Sequence, residues 1–462
     1  MSDQKVQKYD AIVIGTGQSG PALATRLAGS GWKVAIIERD KFGGTCVNNG
    51  CIPTKTLVAS AKAIHMARSG EVFGFSSPGG IDVDMKKVKA RKDAVSGESN
   101  QNVEKWLKST EGLTVYQGHA KFTSANSVSV GDVVLEAAKL FINVGARAFV
   151  PPLEGIDEID YFTSENIMDV DFLPPHLVVV GGSYIGLEFA QMYKRFGSEV
   201  TVIEQAPRLI PREDEDVSAT VREILEAEGI EIKLAIEEVG FEKNGDEVVA
   251  NCKSSAGKSR VSGTHVLFAI GRKPNTDNLG LDAAGLKLDE RGFIEVDDEL
   301  KTKVKGIWAM GDCNGQGAFT HTSYNDHEIV VANLLDKDLR RLSDRIMTYG
   351  LFIDPPLGRV GMTEAQARAT GREILTSKLA MSRVGRAKES SQTQGFMKVL
   401  VDAENNLILG AAILGLSGDE AIHCITDTMY AKAPYTVIQR AVHIHPTVSE
   451  LIPTMLGGLK PL

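Results

Sequence analysis

Residues 9–20 read Tyr-Asp-Ala-Ile-Val-Ile-Gly-Thr-Gly-Gln-Ser-Gly, an apolar strand followed by three glycines at the spacing G-x-G-x-x-G. In the βαβ unit that this pattern predicts, the first glycine permits the tight turn and the second lets a pyrophosphate approach the backbone. The third lets the helix pack closely on the strand. Residues 33–38 read as the next strand, and the acid at its end is placed to accept from ribose hydroxyls. The sequence therefore predicts a dinucleotide site that contains Gly15, Gly17, Gly20 and Glu38.

The same order of elements recurs in residues 177–204, where an apolar strand, a glycine turn, a helix from Tyr184 to Phe196 and a second strand follow one another. The turn contains Gly181 and Gly186, and a serine occupies the position of the second glycine. Glu204 ends the second strand, and a carboxylate there favours the free 2′-hydroxyl of NAD. Arginines 208 and 212 lie close enough in sequence to favour the 2′-phosphate of NADP instead. The duplication predicts two nucleotide sites, the second taking NADH or NADPH with a preference for NADH.

A close cysteine pair follows the first βαβ unit, in residues 43–55, which read Gly-Gly-Thr-Cys-Val-Asn-Asn-Gly-Cys-Ile-Pro-Thr-Lys. Cys46 and Cys51 stand at the start of a predicted helix, where the helix N-terminus lowers a thiol pKa and favours the reactive thiolate. A structural zinc site requires a second ligand pair at similar spacing, and the sequence has none. We therefore predict a redox-active pair. The other three cysteines are expected to be ordinary small side chains: Cys252, Cys313 and Cys424.

Composition narrows the class of protein. The 462 residues suggest about three domains. A formal net charge of −9 disfavours nucleic acid and anionic membrane surfaces as partners. The polar beginning, residues 1–10, lacks the apolar segment of a secretory signal, and no apolar run is long enough to span a bilayer. A sparse, odd number of cysteines also differs from a secreted disulfide framework, so we expect a cytoplasmic protein.

The segment 43–55 resembles the redox-active site of the flavoprotein disulfide reductases, a family that includes dihydrolipoamide dehydrogenase, glutathione reductase and mercuric reductase. Three further segments resemble family motifs in the same order along the chain. Residues 269–275 are similar to the end of the NAD domain, residues 307–312 to the second FAD motif, and residues 443–450 to the C-terminal acid–base motif. The resemblance covers essentially the whole chain and implies bound FAD, NADH or NADPH as co-substrate, and a homodimer.

The resemblance also implies a fold class and a division of the chain. The expected fold is α/β, with two Rossmann-like dinucleotide-binding domains and a C-terminal α+β dimerisation domain. Residues 1–150 would form the first part of the FAD-binding domain and residues 151–275 the NAD(P)-binding domain. Residues 276–342 would return to the FAD-binding part, and residues 343–462 would form the dimerisation domain.

The family's redox roles transfer to matching positions of this sequence. The resemblance implies that Cys51 lies against the flavin as the charge-transfer thiolate, while Cys46 is the interchange thiol that attacks substrate. Lys55 would sit near flavin N5 and pair with Glu188, one helical turn beyond the second glycine motif. Tyr184 would act as the gate over the nicotinamide pocket.

The acid–base motif supplies a proton-handling pair, His445 and Glu450. An ordinary histidine pKa near 6.5 suits an imidazole that both gives and takes a proton near neutrality. In the resembled family this histidine reaches the disulfide of the other subunit. The remaining implied cofactor contacts are Gly44, Thr45, Gly145, Gly311 and Asp312 for FAD, and Gly271 for NAD(P).

The substrate is the least determined feature. Segments 53–57, 209–214, 319–325 and 355–361 most resemble the mercuric-reductase-like branch, which includes the reductase of bacterial reactive-chlorine resistance. The tail after residue 450 has no cysteine pair for metal delivery, and the N-terminus has no small metal-binding domain. We expect electrons to reach a soft metal ion, mercuric or cupric, held transiently by Cys46 and Cys51, or a small disulfide. No permanent metal is expected. Dihydrolipoamide dehydrogenase, and a flavin NADH oxidase or diaphorase with sensor cysteines, remain alternatives.

Overall fold

The computed structural model describes residues 5–462; residues 1–4, where the polar N-terminal segment begins, lie outside the described residues. Residues 5–148 contain the first βαβ unit and the cysteine pair. The strands are β1 (Lys5–Ile14), β2 (Val34–Glu38), β3 (Leu113–Gln117), β4 (Ala120–Ser124), β5 (Ser127–Val130), β6 (Val133–Ile142) and β7 (Ala146–Ala148). The helices are α1 (Ser19–Gly29), α2 (Gly44–Asn48), α3 (Cys51–Arg68) and α4 (Met85–Ser109).

The first sheet has the order β3-β2-β1-β6-β5-β4, and its β1, β2, β3 and β6 are parallel. All five residues of β2 are buried, as the apolar sequence predicts for a parallel strand covered on both faces. In the register, Ile14 at the end of β1 stands opposite Ile37 in β2. Because parallel strands end at the same edge, the glycine turn and Glu38 meet there.

The second unit repeats this arrangement. Its strands are β8 (Phe162–Thr163), β9 (His176–Val180), β10 (Glu199–Ile203), β11 (Glu231–Lys233), β12 (Glu238–Asn244), β13 (Glu247–Ser254), β14 (Gly257–Gly263), β15 (His265–Phe268) and β16 (Arg272–Pro274), and its helices are α5 (Tyr184–Phe196) and α6 (Glu215–Ala227). A five-stranded parallel sheet has the order β11-β10-β9-β15-β8, and β12-β13-β14 form an antiparallel sheet beside it. The predicted bounds of α5 are those observed.

The chain then returns to the first sheet through β17 (Ile307–Ala309), which pairs in parallel with β6, and continues into α7 (Thr320–Val331). A short antiparallel pair of β7 and β16 joins the two nucleotide-binding units. As a result, α7 begins next to the cysteine pair although it lies more than 260 residues later in the chain.

The C-terminal unit is an antiparallel sheet flanked by short helices. Its strands are β18 (Thr348–Leu351), β19 (Leu357–Gly361), β20 (Ile374–Ala380), β21 (Phe396–Asp402), β22 (Ile408–Leu414) and β23 (Lys460–Pro461). Its helices are α8 (Glu364–Ala369), α9 (Gly385–Glu389), α10 (Gly418–Ala421), α11 (His423–Tyr430), α12 (Thr436–Arg440) and α13 (Ile452–Leu456). The sheet order is β18-β19-β22-β21-β20-β23.

A buried ion cluster fixes this unit against the second nucleotide-binding unit. Arg359 in β19 is 1% exposed, and its guanidinium lies 2.5 Å from Glu213 and 2.9 Å from Asp214, at the start of α6. The Arg359 charge is the main influence that holds the pKa of Asp214 below its ordinary value, against the effect of burial. Lys398, which is 7% exposed, also lies 3.3 Å from Asp214. Removing Arg359 would therefore leave the buried Glu213 without its ion partner, while Asp214 would keep Lys398.

The predicted fold class is confirmed: the chain has two Rossmann-like units and a C-terminal α+β unit. The domain limits at residues 150, 275 and 342 remain predictions. In the described part of the chain, no helix combines the length and the apolar character needed to cross a membrane.

Candidate active site

The first glycine turn presents bare backbone at the N-terminus of α1. Gly15 has a φ of +102°, and a Cβ there would lie 2.2 Å from the carbonyl oxygen of Asn143. A Cβ at Gly20 would lie 2.1 Å from the carbonyl oxygen of Gly15, so the helix can approach the strand only with glycine at this position. A Cβ at Gly44 would lie 2.8 Å from the Cα of Gly17. This cradle fits a pyrophosphate, since side chains are excluded and free N–H groups face outward at the helix start.

The two acids at the strand ends make the same pair of contacts. Glu38 accepts hydrogen bonds from the Thr16 N–H at 3.0 Å and from the Asp40 N–H at 2.9 Å. Glu204 accepts from the Gly182 N–H at 2.5 Å and from the Ala206 N–H at 2.7 Å. Each carboxylate is thereby held against its own glycine turn, with lone pairs left for a ribose.

The second glycine turn is equally crowded. Gly181 has a φ of +117°, and a Cβ at Gly186 would lie 1.9 Å from the Gly181 carbonyl oxygen. Ser183, which replaces the second glycine, is the residue immediately before α5. Gly271 differs from these positions, because no atom lies within 4 Å of the place of its Cβ and its φ is not in the left-handed region. Nothing in its surroundings requires glycine.

The segment after β17 contributes a further acid, Asp312. Gly311 has a φ of +70° and donates its N–H to Asp326 at 2.7 Å. The Asp312 carboxylate lies 3.5 Å from the Arg272 guanidinium, and burial raises the pKa of Asp312 while Arg272 opposes this. Thr45 also faces Arg272, at 3.4 Å. Gly145 has a φ of +65° and open space around it.

Cys46 lies within α2 and Cys51 is the first residue of α3, and both are present as free thiols. The hydrogen bond from Cys46 holds the pKa of the Cys51 thiol below its ordinary value, to about 6, and Thr320 and Lys55 act in the same direction. The same hydrogen bond, together with burial, raises the pKa of Cys46. The two sulfurs are therefore unequal: Cys51 is the favoured thiolate, and Cys46 keeps the proton.

The predicted pairing of Lys55 with Glu188 is present. The Lys55 Nζ lies 2.6 Å from the carboxylate of Glu188, which is only 5% exposed. The other carboxylate oxygen accepts from the Phe352 N–H at 3.0 Å, and the Phe352 ring lies 4.5 Å from Nζ. Three units of the fold thus meet at one charge pair, four residues beyond Cys51 on α3.

Tyr184, at the start of α5, belongs to an aromatic cluster. Its ring meets those of Phe319 and Tyr349 edge-on, at centroid distances of 6.0 Å and 5.4 Å, and burial raises the pKa of its hydroxyl. Phe319 and Tyr349 stack on each other at 5.6 Å. The ring is therefore held by neighbours from α7 and β18, beside the Lys55–Glu188 pair.

The acid–base pair forms within the chain but stands apart from the thiols. His445 Nδ1 lies 2.8 Å from the Glu450 carboxylate, and the His445 side chain is 79% exposed. Among residues 5–462, no hydrogen bond joins His445 to either thiol. His443 has a buried Nδ1 without a hydrogen-bond partner in the described residues, and no role is assigned to it.

Sequence reasoning missed Thr320, Phe352 and Tyr349 as parts of this site. The Cys51 Sγ lies 3.0 Å from the Thr320 hydroxyl, and the two residues are 269 positions apart. Such contacts leave no local pattern in the sequence, since they depend on how β17 and the C-terminal sheet return to the first unit. Cys313 and Cys252 are buried in hydrophobic clusters, as expected of small apolar side chains.

Comparisons with known proteins identify the family of the chain. Family models described as pyridine nucleotide-disulphide oxidoreductase and as the dimerisation domain of these enzymes match residues 9–326 and 347–456. The chain therefore belongs to the pyridine nucleotide-disulphide oxidoreductase family, the flavoprotein disulfide reductases. The family uses FAD and NAD(P)H, and this chain is an FAD-dependent oxidoreductase of that family with a C-terminal dimerisation domain.

Individual relatives span nearly the whole chain. It is 35% identical to the probable pyridine nucleotide-disulfide oxidoreductase RclA of Escherichia coli, over 98% of this chain and 100% of that protein. It is 33% identical to a dihydrolipoyl dehydrogenase of Thermus scotoductus (96% of each) and 31% identical to a mercuric reductase of Streptomyces lividans (96% and 94%). A solved structure, the Cu(II) complex of the HOCl-induced flavoprotein disulfide reductase RclA from Escherichia coli, superposes with a TM-score of 0.89 at 35% identity, over 98% of this chain and 99% of that one.

Proposed function

We propose that this enzyme passes two electrons from NADH through the Cys46–Cys51 pair to a soft metal ion, one mercuric ion or two cupric ions in succession, or to a small disulfide. The observation that carries the proposal is the inequality of the two thiols. Cys51 begins α3, four residues before Lys55, and its sulfur lies 3.0 Å from the Thr320 hydroxyl, so its thiolate is favoured over that of Cys46. One sulfur is thus suited to exchange electrons with the cofactor and the other to meet the substrate.

The residues of the first unit would hold FAD. The pyrophosphate would lie on the bare backbone at Gly15, Gly17 and Gly44, and Glu38 and Asp312 would accept from hydroxyls of the cofactor. Bound FAD supplies the two-electron chemistry that links a nicotinamide to a disulfide. The protein's part is to position the thiols and to hold charge, which the Lys55–Glu188 pair does at 2.6 Å.

The second unit would hold NADH in preference to NADPH. Glu204 is fixed at the end of β10 by two backbone N–H groups, and a carboxylate there repels a 2′-phosphate. The Arg208 guanidinium donates to the carbonyl oxygens of Pro211 and Glu213, so it is engaged with the backbone of its own loop. Arg212 is exposed and remains the nearby cation that favours NADPH. Tyr184 would cover the nicotinamide pocket.

The proton-handling pair would act on the thiols of a second copy of the chain. His445 is exposed and is oriented by Glu450. Two residues just before it, Val442 and Ile444, are apolar and are 100% and 79% exposed. A homodimer formed through the C-terminal domain would cover them and would bring the imidazole of one subunit to the dithiol of the other. We also propose a cytoplasmic location, where thiols stay reduced.

Soft metal ions are favoured as substrates because a thiolate is a soft ligand. The relatives point the same way: the similar Escherichia coli protein has been solved as a Cu(II) complex, and another relative is a mercuric reductase. Lipoamide is the second candidate, since the chain is also 33% identical to a dihydrolipoyl dehydrogenase.

An anaerobic titration with NADH and then NADPH tests the proposal. One equivalent of NADH should produce a long-wavelength thiolate-to-flavin absorbance band, which Cys51→Ser should abolish, whereas Cys424→Ser should keep it. The reduced enzyme is then reoxidised with cupric ion, mercuric ion and lipoamide in parallel. If metal ions no longer reoxidise the reduced Cys46→Ser enzyme, the proposal is supported. Full turnover with oxygen or a quinone in Cys46→Ser, without the band in the wild type, would show a flavin oxidase with sensor cysteines instead.

A further inference from the structure

The hydroxyl of Thr320 touches the sulfur that the proposed function uses as the electron-exchanging thiolate. Thr320 is the first residue of α7, and its Oγ1 lies 3.0 Å from the Cys51 Sγ. Among the described residues, it is the one side chain outside the α2–α3 segment that forms a hydrogen bond with the Cys51 sulfur.

The direction of this hydrogen bond follows from the charge on sulfur. A thiolate carries no hydrogen and can only accept, so with Cys51 ionised the Thr320 O–H must be the donor. The Cys46 S–H is a second donor to the same sulfur. Hydrogen bonds to an ionised group are about twice as strong as those between neutral groups, so two of them on one sulfur favour the charged form.

The two helices that begin near the cysteine pair also favour the Cys51 thiolate. Cys51 begins α3, which has 18 residues, and Thr320 begins α7, which has 12. The first turn of each helix contains no acidic residue. The unpaired N–H groups and the positive ends of both helix dipoles therefore lie near the Cys51 sulfur. Neither of these first turns contains a carboxylate that would repel its negative charge.

We propose that Thr320 is a catalytic residue of this enzyme, whose hydroxyl donates a hydrogen bond to the Cys51 sulfur and stabilises its thiolate in the reduced enzyme. The inference rests on the proposed function. When the disulfide accepts two electrons and one proton, its S–S bond breaks, the proton stays on Cys46 and the negative charge stays on Cys51. When substrate takes the two electrons and the S–S bond re-forms, Cys46 releases its proton to the proton-handling pair or to water, the charge on Cys51 disappears and Thr320 gives up this hydrogen bond.

The test compares two substitutions in the FAD-loaded enzyme. Thr320→Val keeps the shape and removes the O–H, and Thr320→Ser keeps the O–H. Each protein is reduced anaerobically with one equivalent of NADH, and the long-wavelength band is titrated with pH. We expect Thr320→Val to raise the pKa of Cys51 by about one unit, a tenfold loss of thiolate against thiol. Thr320→Ser should stay within a few tenths of a unit of the wild type.

A matched control is Thr370→Val, whose hydroxyl bonds the Ala367 carbonyl oxygen at 2.7 Å within the C-terminal unit. It should leave the titration unchanged. If Thr320→Val binds FAD and titrates like the wild type, the inference is overturned. If Thr320→Val loses the flavin, Thr320→Ala is titrated in its place and judged in the same way.

A second measurement separates this inference from the proposed function. The pH dependence of iodoacetamide alkylation of Cys51 is measured in the chemically reduced protein, in a Cys46→Ser background with and without Thr320→Val. If the wild-type enzyme forms no band with NADH, the proposed function fails while alkylation still reports the thiolate. Alkylation near neutral pH slowed severalfold by Thr320→Val supports the hydrogen bond. Equal rates in the two proteins overturn it.

Discussion

Two substitutions in the Lys55–Glu188 pair should shift the pKa of the Cys51 thiol in opposite directions. Lys55 lowers the pKa of the Cys51 thiol and Glu188 raises it, after the larger effect of the hydrogen bond from Cys46. Lys55→Met removes the cation and leaves the carboxylate, so it should raise the pKa of Cys51. Glu188→Gln removes the anion and leaves the ammonium, so it should lower that pKa.

The magnitude follows from the geometry of α3. Cys51 and Lys55 are four residues apart on one helix, which places their Cβ atoms roughly 6 Å apart. Two unit charges at that distance interact by roughly 2.8 kcal/mol at an effective dielectric constant of about 20, or about two pKa units. The Lys55 side chain is 34% exposed, and screening by water reduces the expected rise to about one unit. Glu188 has the smaller influence, so we expect a fall of about half a unit in Glu188→Gln.

The assay is the pH titration of the long-wavelength band in the two-electron-reduced enzyme, with flavin content measured for each variant. The two midpoints should move to opposite sides of the wild-type value. Because the band needs the Cys51 thiolate, Lys55→Met should lose it from neutral pH downward, while Glu188→Gln should retain it to lower pH. Shifts of the same sign in both variants, or no shift in either with flavin bound, would falsify the electrostatic account of the site.

Three further outcomes are expected. Glu204→Ala should raise the KM for NADH and reduce the preference of the enzyme for NADH over NADPH, as measured by steady-state kinetics with both nucleotides. An unchanged ratio of the two KM values would exclude a ribose contact at Glu204. His445→Gln should slow reoxidation by substrate by roughly 10²–10⁴-fold and leave the reduction by NADH unchanged in stopped-flow traces, whereas equal slowing of both half-reactions would contradict a proton-handling role. Arg359→Met should lower the free energy of unfolding by about 3–5 kcal/mol in denaturant titrations, because it leaves the buried Glu213 carboxylate without its ion partner, while Asp214 keeps Lys398. The control Arg368→Met, whose partner Glu364 lies four residues away on an exposed helix face, should cost less than about 0.5 kcal/mol, and an equal cost would refute the reasoning.

Several parts of the molecule could be predicted because their patterns are local. The glycine turns require glycine through backbone contacts within the same βαβ unit or its neighbouring strand, as the close approach of Gly20 to Gly15 shows. The helix from Tyr184 to Phe196 was predicted with its observed bounds, because apolar periodicity and the glycine turn mark its beginning. The start of α3 at Cys51 follows from the same kind of signal.

The pairing of Lys55 with Glu188 came from resemblance and not from any pattern in the residues, since 133 positions separate them. The Phe352 N–H that completes this arrangement comes from the C-terminal unit, and no periodicity links it to α5. The sequence likewise showed two cysteines at a suggestive spacing, but not which of them would hold the negative charge.

The sequence by itself therefore determined the two nucleotide-binding units, because backbone sterics and strand or helix periodicity act over a few residues. The family followed from the resemblance of four local motifs, and the redox role of the cysteine pair remains a prediction. Only the tertiary structure decided the electrostatics at the pair. The hydrogen bond between Cys46 and Cys51, the hydroxyl of Thr320 and the charge of Lys55 act on one sulfur together. The distance between the Thr320 hydroxyl and Cys51 depends on where β17 returns the chain to the first sheet, and a hydrogen bond acts through distance in space and not through position in the chain.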